Sequence, residues 1–133
     1  MAERENIAVV QQAYAAFQRG DVQGILELVA EDVEWEGAKG VPQKVPFGGL
    51  RRGKAGVAEF FASVGREEEF SHFEPKEFFA SGDRVVVLGS YHAKVRRTGK
   101  SFEGEWTMAF TFRGGKVVRF TEYADSYGIA AAF

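Results

Sequence analysis

Residues 110 to 125 read F-T-F-R-G-G-K-V-V-R-F-T-E-Y-A-D. Gly114-Gly115 stands between two alternating runs, the pattern of a hairpin closed by a tight turn. Successive side chains of a strand point to opposite faces. Trp106, Met108, Phe110 and Phe112 therefore share one face of the first arm, opposed by Glu105, Thr107 and Thr111. On the second arm Val118, Phe120, Glu122 and Ala124 share a face, and Arg119, Thr121, Tyr123 and Asp125 take the other. The two carboxylates Glu122 and Asp125 thus point apart and do not form a pair. Asp125 reads as a strand-end, cap or rim residue. Glu122 is the exception on an apolar face, with Trp106 and Met108 as expected cross-strand or diagonal neighbours.

A carboxyl buried without a cationic partner has its pKa raised by desolvation. Such a group can hold a proton near neutral pH, donate it and later take one back. Two structural readings compete with that role: a core glutamate bonded to a ring N–H or hydroxyl, or one that snorkels out past the strand end.

Upstream of the hairpin the chain keeps period two from about residue 73, with turn sequences at Ser81-Gly82-Asp83 and Thr98-Gly99. Strands are expected near 73–81, 84–96, 101–113 and 116–125. The first half is helical in period. Ile7, Val10, Tyr14 and Phe17 mark a helix over 4–19 that stops at Gly20. Asp21 suits an N-cap for a second short helix along Val22, Ile25, Leu26 and Val29. Val33 and Trp35 alternate with Glu34 and Glu36 in a short strand, and a Gly- and Pro-rich loop follows. Val57, Phe60, Phe61 and Val64 form the stripe of a third helix, and the acidic run Glu67-Glu68-Glu69 separates the helical half from the meander. Helices followed by an antiparallel meander indicate an α+β domain, with helices over one face of a curved sheet.

The 133 residues are 45% hydrophobic and 14% aromatic, which fits one domain spanning 1–133 with a thick core or an apolar pocket. A net charge of −2 argues against nucleic acid, which needs clustered Lys and Arg. With no cysteine, disulfides and thiolate chemistry are excluded. No apolar run approaches the ~20 residues of a membrane span, and the N-terminus lacks a basic leader followed by a hydrophobic stretch, so a cytoplasmic protein without a membrane partner is expected.

Gly48-Gly49-Leu50-Arg51-Arg52-Gly53-Lys54 fits G-x-x-x-x-G-K, but Ala55 stands where Ser or Thr would hold magnesium, and no buried strand precedes it. It reads as a turn into the third helix. His72 and His92 lie in different segments without metal-ligand spacing, and His92 shares a face with Ser90, Lys94 and Arg96, which suits a surface. Neither a metal nor a cofactor is suggested. Tyr14 and Tyr91, on interior faces, can bring phenolic hydroxyls toward Glu122, a polar centre in an apolar pocket.

Four segments carry a wider resemblance: A-Y-A-A-F-Q-R-G-D-V at 13–22, D-V-E-W-E at 32–36, G-G-L-R-R-G-K-A-G-V-A-E-F-F at 48–61, and the hairpin itself. In them the chain resembles the SnoaL-like polyketide cyclases, within the nuclear transport factor two-like group that includes ketosteroid isomerases and limonene epoxide hydrolase. The resemblance implies a cone-shaped, curved, mostly antiparallel sheet wrapped by three N-terminal helices around a deep apolar pocket, often dimeric through the sheet. Glu122 matches the position of the cyclases' acid/base Asp and of a catalytic Asp in the epoxide hydrolase. Trp106-Thr107-Met108 stands where the cyclases resemble Gln-x-His, Gly89-Ser90-Tyr91 where the hydrolase has Arg-x-Asp, and Gly37 near the isomerase's general-base Asp. No member's full catalytic set is present.

The resulting expectation is a homodimeric, cofactor-independent acid/base protein acting on a hydrophobic carbonyl or polycyclic small molecule by cyclisation or isomerisation. Glu122 would shuttle the proton and Tyr91, Tyr14 or the Trp106 indole would orient a substrate oxygen. Phe17, Trp35, Trp106, Met108, Phe110 and Phe120 would shape the pocket. A non-catalytic ligand-binding or interaction module is the alternative, and an epoxide hydrolase the third reading.

Overall fold

In the computed structural model, which describes residues 2–133, the first stripe forms α1 (Ala2–Gln18) and ends ahead of Gly20, whose φ of 73° suits only glycine without strain. Asp21 caps α2 (Val22–Leu26), its carboxylate accepting from the Gly24 N–H at 2.9 Å. That helix is shorter than its apolar spacing suggests, because Val29 already belongs to β1 (Val29–Gly37). The stretch after β1 is not all loop. β2 (Gly49–Arg52) pairs antiparallel with β1, and α3 (Gly53–Glu67) leaves it directly through the positive φ of Gly53.

The meander follows as β3 (Glu68–Ser81), β4 (Arg84–Val95), β5 (Ser101–Arg113) and β6 (Lys116–Tyr123), each antiparallel to the one before. β6 then lies parallel to β1, so the six strands run in the order β2-β1-β6-β5-β4-β3. The molecule is α+β, with a mostly antiparallel sheet that curls without closing. α1 packs on β3 and β4, α3 on β1, and a fourth helix on β5.

Three departures from the expected pattern shape the interior. β3 begins at Glu68 rather than near 73, so the acidic run spans the junction of α3 and β3. Register shifts between Phe70 and His72 and between Pro75 and Glu77 bend this strand, and its place at the sheet edge tolerates Pro75. The β5–β6 register also slips, pairing Thr111 with Arg119 but Phe112 with Val117. Val118 is the extra residue, and Val117 rather than Val118 is the buried valine. Beyond the slip the alternation holds: Phe120 pairs with Phe110, and Glu122 with Met108. Finally, β6 stops at Tyr123, and the chain turns into α4 (Ser126–Ala132) where a continuing strand was expected. Asp125 is its N-cap and accepts from the Gly128 N–H at 3.0 Å.

The inner face is packed with rings. Trp35 stacks on Phe120, its register partner on β6, with centroids 4.0 Å apart. Trp106 lies over Gly89, where an added Cβ would come within 2.3 Å of the indole, so glycine is required for that contact. On the outer face Glu34 binds both Arg52 and Arg119, its register partners on β2 and β6. No helix among the described residues is long and apolar enough to cross a membrane.

Candidate functional site

Helices on one side and the curled sheet on the other enclose a cavity of about 80 Å³, partly open to the surface. That is about half the size of an engineered cavity that takes up benzene, and several times the ~10–15 Å³ one water requires. Its wall is aromatic: Phe17 from α1, Trp35 from β1, Phe60 and Phe61 from α3, Phe70 and Phe73 from β3, with Phe110 and Phe120 from the hairpin. Ile129 of α4 closes part of it, so the unforeseen helix contributes directly to the site.

Glu122 reaches this cavity from β6 with 7% of its surface exposed. Burial pushes its carboxyl from 4.5 up to about 7, and the Ala38 N–H, which donates to Oε1 at 2.9 Å, opposes the rise by favouring the anion. Ala38 sits at φ 45°, the one positive-φ residue other than glycine among those described. The Glu122 backbone carbonyl accepts from Lys39 N at 2.9 Å, so one residue holds the turn after β1 by both side chain and main chain. A glutamate whose side chain snorkelled outward could not make the bond to Ala38.

Tyr14 and Tyr91 line the same cavity but differ in what their hydroxyls do. Tyr14 donates to the Met108 sulfur at 3.1 Å. The Tyr91 hydroxyl is buried with no hydrogen-bond partner. Desolvation first, and then the nearby Glu122 charge, raise both phenols above their ordinary range, so both remain donors at any physiological pH. Phe17, Trp35, Met108, Phe110 and Phe120 also lie on the wall. Trp106 does not. It is stacked against Tyr14 and Phe73 behind the wall, with its indole nitrogen buried and unpartnered.

Sequence reasoning missed Glu68. As the first residue of β3 it is 6% exposed, lines the cavity and carries a carboxyl held well above the usual range by burial, then by the charges of Glu122 and Glu67. Alternation within the acidic run is the signal that could have found it: Glu69 is exposed, and Phe70 is half-buried on the wall. Glu67, by contrast, forms a two-pronged ion pair with Arg97 at 2.7 and 2.5 Å. His72 and His92 are cross-strand partners bonded to Ser90 and Ser71 on the outer surface, away from the cavity wall. Gly37 is packed against Phe60, whose ring would lie 2.3 Å from an added Cβ, so a catalytic side chain has no room there. Among the described residues no three His, Cys, Asp or Glu side chains cluster as metal ligands.

The fold, a curled sheet covered by helices, is shared with known proteins. The chain is similar to an NTF2-like protein of Burkholderia xenovorans, 37% identical, with 99% of this chain and 98% of that one covered at a TM-score of 0.88. The structure of TerC co-crystallised with polyporic acid is 32% identical over 96% of this chain and 97% of that one, with a TM-score of 0.84. An uncharacterised protein of Mycobacterium tuberculosis is 27% identical over 126 residues, 94% of this chain and 93% of the relative. The SnoaL-like domain profile matches residues 10–120, from the buried Val10 of α1 to Phe120 on the cavity wall, and the chain belongs to that family.

Proposed function

We propose that the protein is a cofactor-independent acid/base catalyst acting on a hydrophobic aromatic carbonyl compound, with Glu122 moving the proton. One observation carries this reading: the Glu122 carboxyl is buried in an aromatic cavity, with a pKa of about 7. A group poised at neutral pH both accepts and releases a proton readily. The wall contains no Lys, Arg or His, so a ligand enters uncharged, its oxygen meeting donors rather than cations. The rings of Phe17, Phe61 and Phe70 on the wall are half-buried rather than fully packed, which suits a cavity partly open to the surface. That the similar protein TerC was co-crystallised with polyporic acid supports an organic small molecule as the ligand class.

A binding protein without chemistry is the second reading, favoured by the bond from Ala38 N–H to Glu122, which gives the carboxylate a structural task. Deuterium exchange separates the two. 2-Tetralone, an aromatic ketone with acidic α-hydrogens, is incubated with the protein in heavy water and followed by NMR. The wild type is expected to accelerate exchange, and Glu122→Gln to reduce it by roughly 100-fold or more while keeping the native circular dichroism spectrum. Equal exchange by both proteins would remove Glu122 from the chemistry.

A further inference from the structure

Resting on that reading, we propose that Glu68 is the second catalytic residue of the cavity, the acid that partners Glu122 as base, with the Tyr91 hydroxyl holding the substrate oxygen between them. Glu68 and Glu122 enter the cavity from opposite regions of the sheet, one from edge strand β3 and the other from β6, three places away in the strand order. Tyr91, on β4 between them, is 7% exposed, and its hydroxyl has no partner. A buried donor left without an acceptor is costly, and a carbonyl or hydroxyl oxygen of a ligand satisfies it.

The surroundings divide the labour. The Ala38 N–H stabilises the Glu122 anion. Glu68 has the opposite setting: it stands at the C-terminal cap of α3, where the helix dipole disfavours negative charge, and it feels the charges of Glu122 and Glu67. Glu122 therefore ionises first, and Glu68 keeps its proton. The other titratable groups around the pair are Tyr14 and Tyr91, which stay protonated, Glu67, held by Arg97, and Asp125, which acts on Tyr91.

For an enolisable ketone the step balances within the pair. The Glu122 carboxylate removes a proton from the carbon beside the carbonyl, and the C–H electron pair becomes the C=C bond of the enol. The carbonyl π pair takes the Glu68 proton. Glu122 is left as acid and Glu68 as carboxylate, so the pair holds one proton before and after. Returning the proton to another carbon of an extended enol gives an isomer and restores both groups.

The test is the pH profile of 2-tetralone exchange between pH 5 and 10. Wild type should rise through about pH 7 as Glu122 ionises and fall at alkaline pH as Glu68 loses its proton. Glu68→Gln should lower the rate by roughly 100-fold and abolish the alkaline fall, leaving the rise near 7. In Glu122→Gln protein, the carboxyl-carbon NMR titration of Glu68 should move to lower pH, because the neighbouring charge is gone. A Glu68→Gln protein with the wild-type rate and both limbs would overturn the assignment, and so would an unmoved Glu68 titration. No exchange by wild type would instead sink the carbonyl reading, and this inference with it.

Discussion

Glu122 shows how far a single residue can be read from pattern. Alternation along β6 separates it from Asp125 and turns it inward, and the structure pairs it with Met108 as the hairpin requires. Its bond to Ala38 could not be foreseen, because that contact joins residues 84 apart through a turn with an unusual backbone angle. Glu68 was hidden for a different reason: three consecutive glutamates look like a solvated surface, yet Glu67 and Glu68 are both buried, and at the change from helix to strand the middle one lines the cavity. Burial of Glu122 has a thermodynamic consequence. Its folded pKa of about 7 lies above the ordinary 4.5 of the unfolded chain, so the folded state binds the proton more tightly. The stability this confers is fully present below about pH 4.5 and is lost as the pH rises through 7, a change of about 3 kcal/mol. Glu122→Gln, which cannot titrate, should therefore show a flatter stability profile and exceed wild type at pH 8. Urea unfolding midpoints of both proteins across pH 5 to 8 check this.

The elements were legible where their signals are local and long. The α1 stripe, the Asp21 cap and the four-strand meander all follow from periodicity and turn residues. Short elements supported by tertiary contacts were not: β2 has four residues and exists through its pairing with β1, while α4 has seven and rests on β5. Isolated helices of that length are unstable in water, so packing and capping must supply what propensity cannot. The Asp125 cap is the available signal for α4, and it fits a close space, since a Cβ at Gly128 would meet the Asp125 carboxylate at 2.6 Å. Asp125→Ala should cost about 1 kcal/mol, measured by urea denaturation. It should also loosen Ile129 at the cavity wall, raising the exchange of the α4 amides without unfolding the sheet.

At the scale of the whole molecule, the site belongs to no single element. α1, α3 and α4 cover one side, the curled sheet the other, and together they remove water from two carboxyls that nowhere approach each other in sequence. The family resemblance gave the architecture correctly and one of these carboxyls, Glu122. It could not supply the second, because Glu68 lies outside the motifs that carry the resemblance. One fold hosts many chemistries, so the environment of the acidic groups must decide the function. The most direct test is a carboxyl-carbon NMR titration of Glu122 in the native protein, assigned by its loss in Glu122→Gln. A midpoint near 7 is expected, with the unfolded protein in urea returning to about 4.5; a native midpoint at the ordinary glutamate value would contradict the buried, proton-exchanging carboxyl on which the account rests.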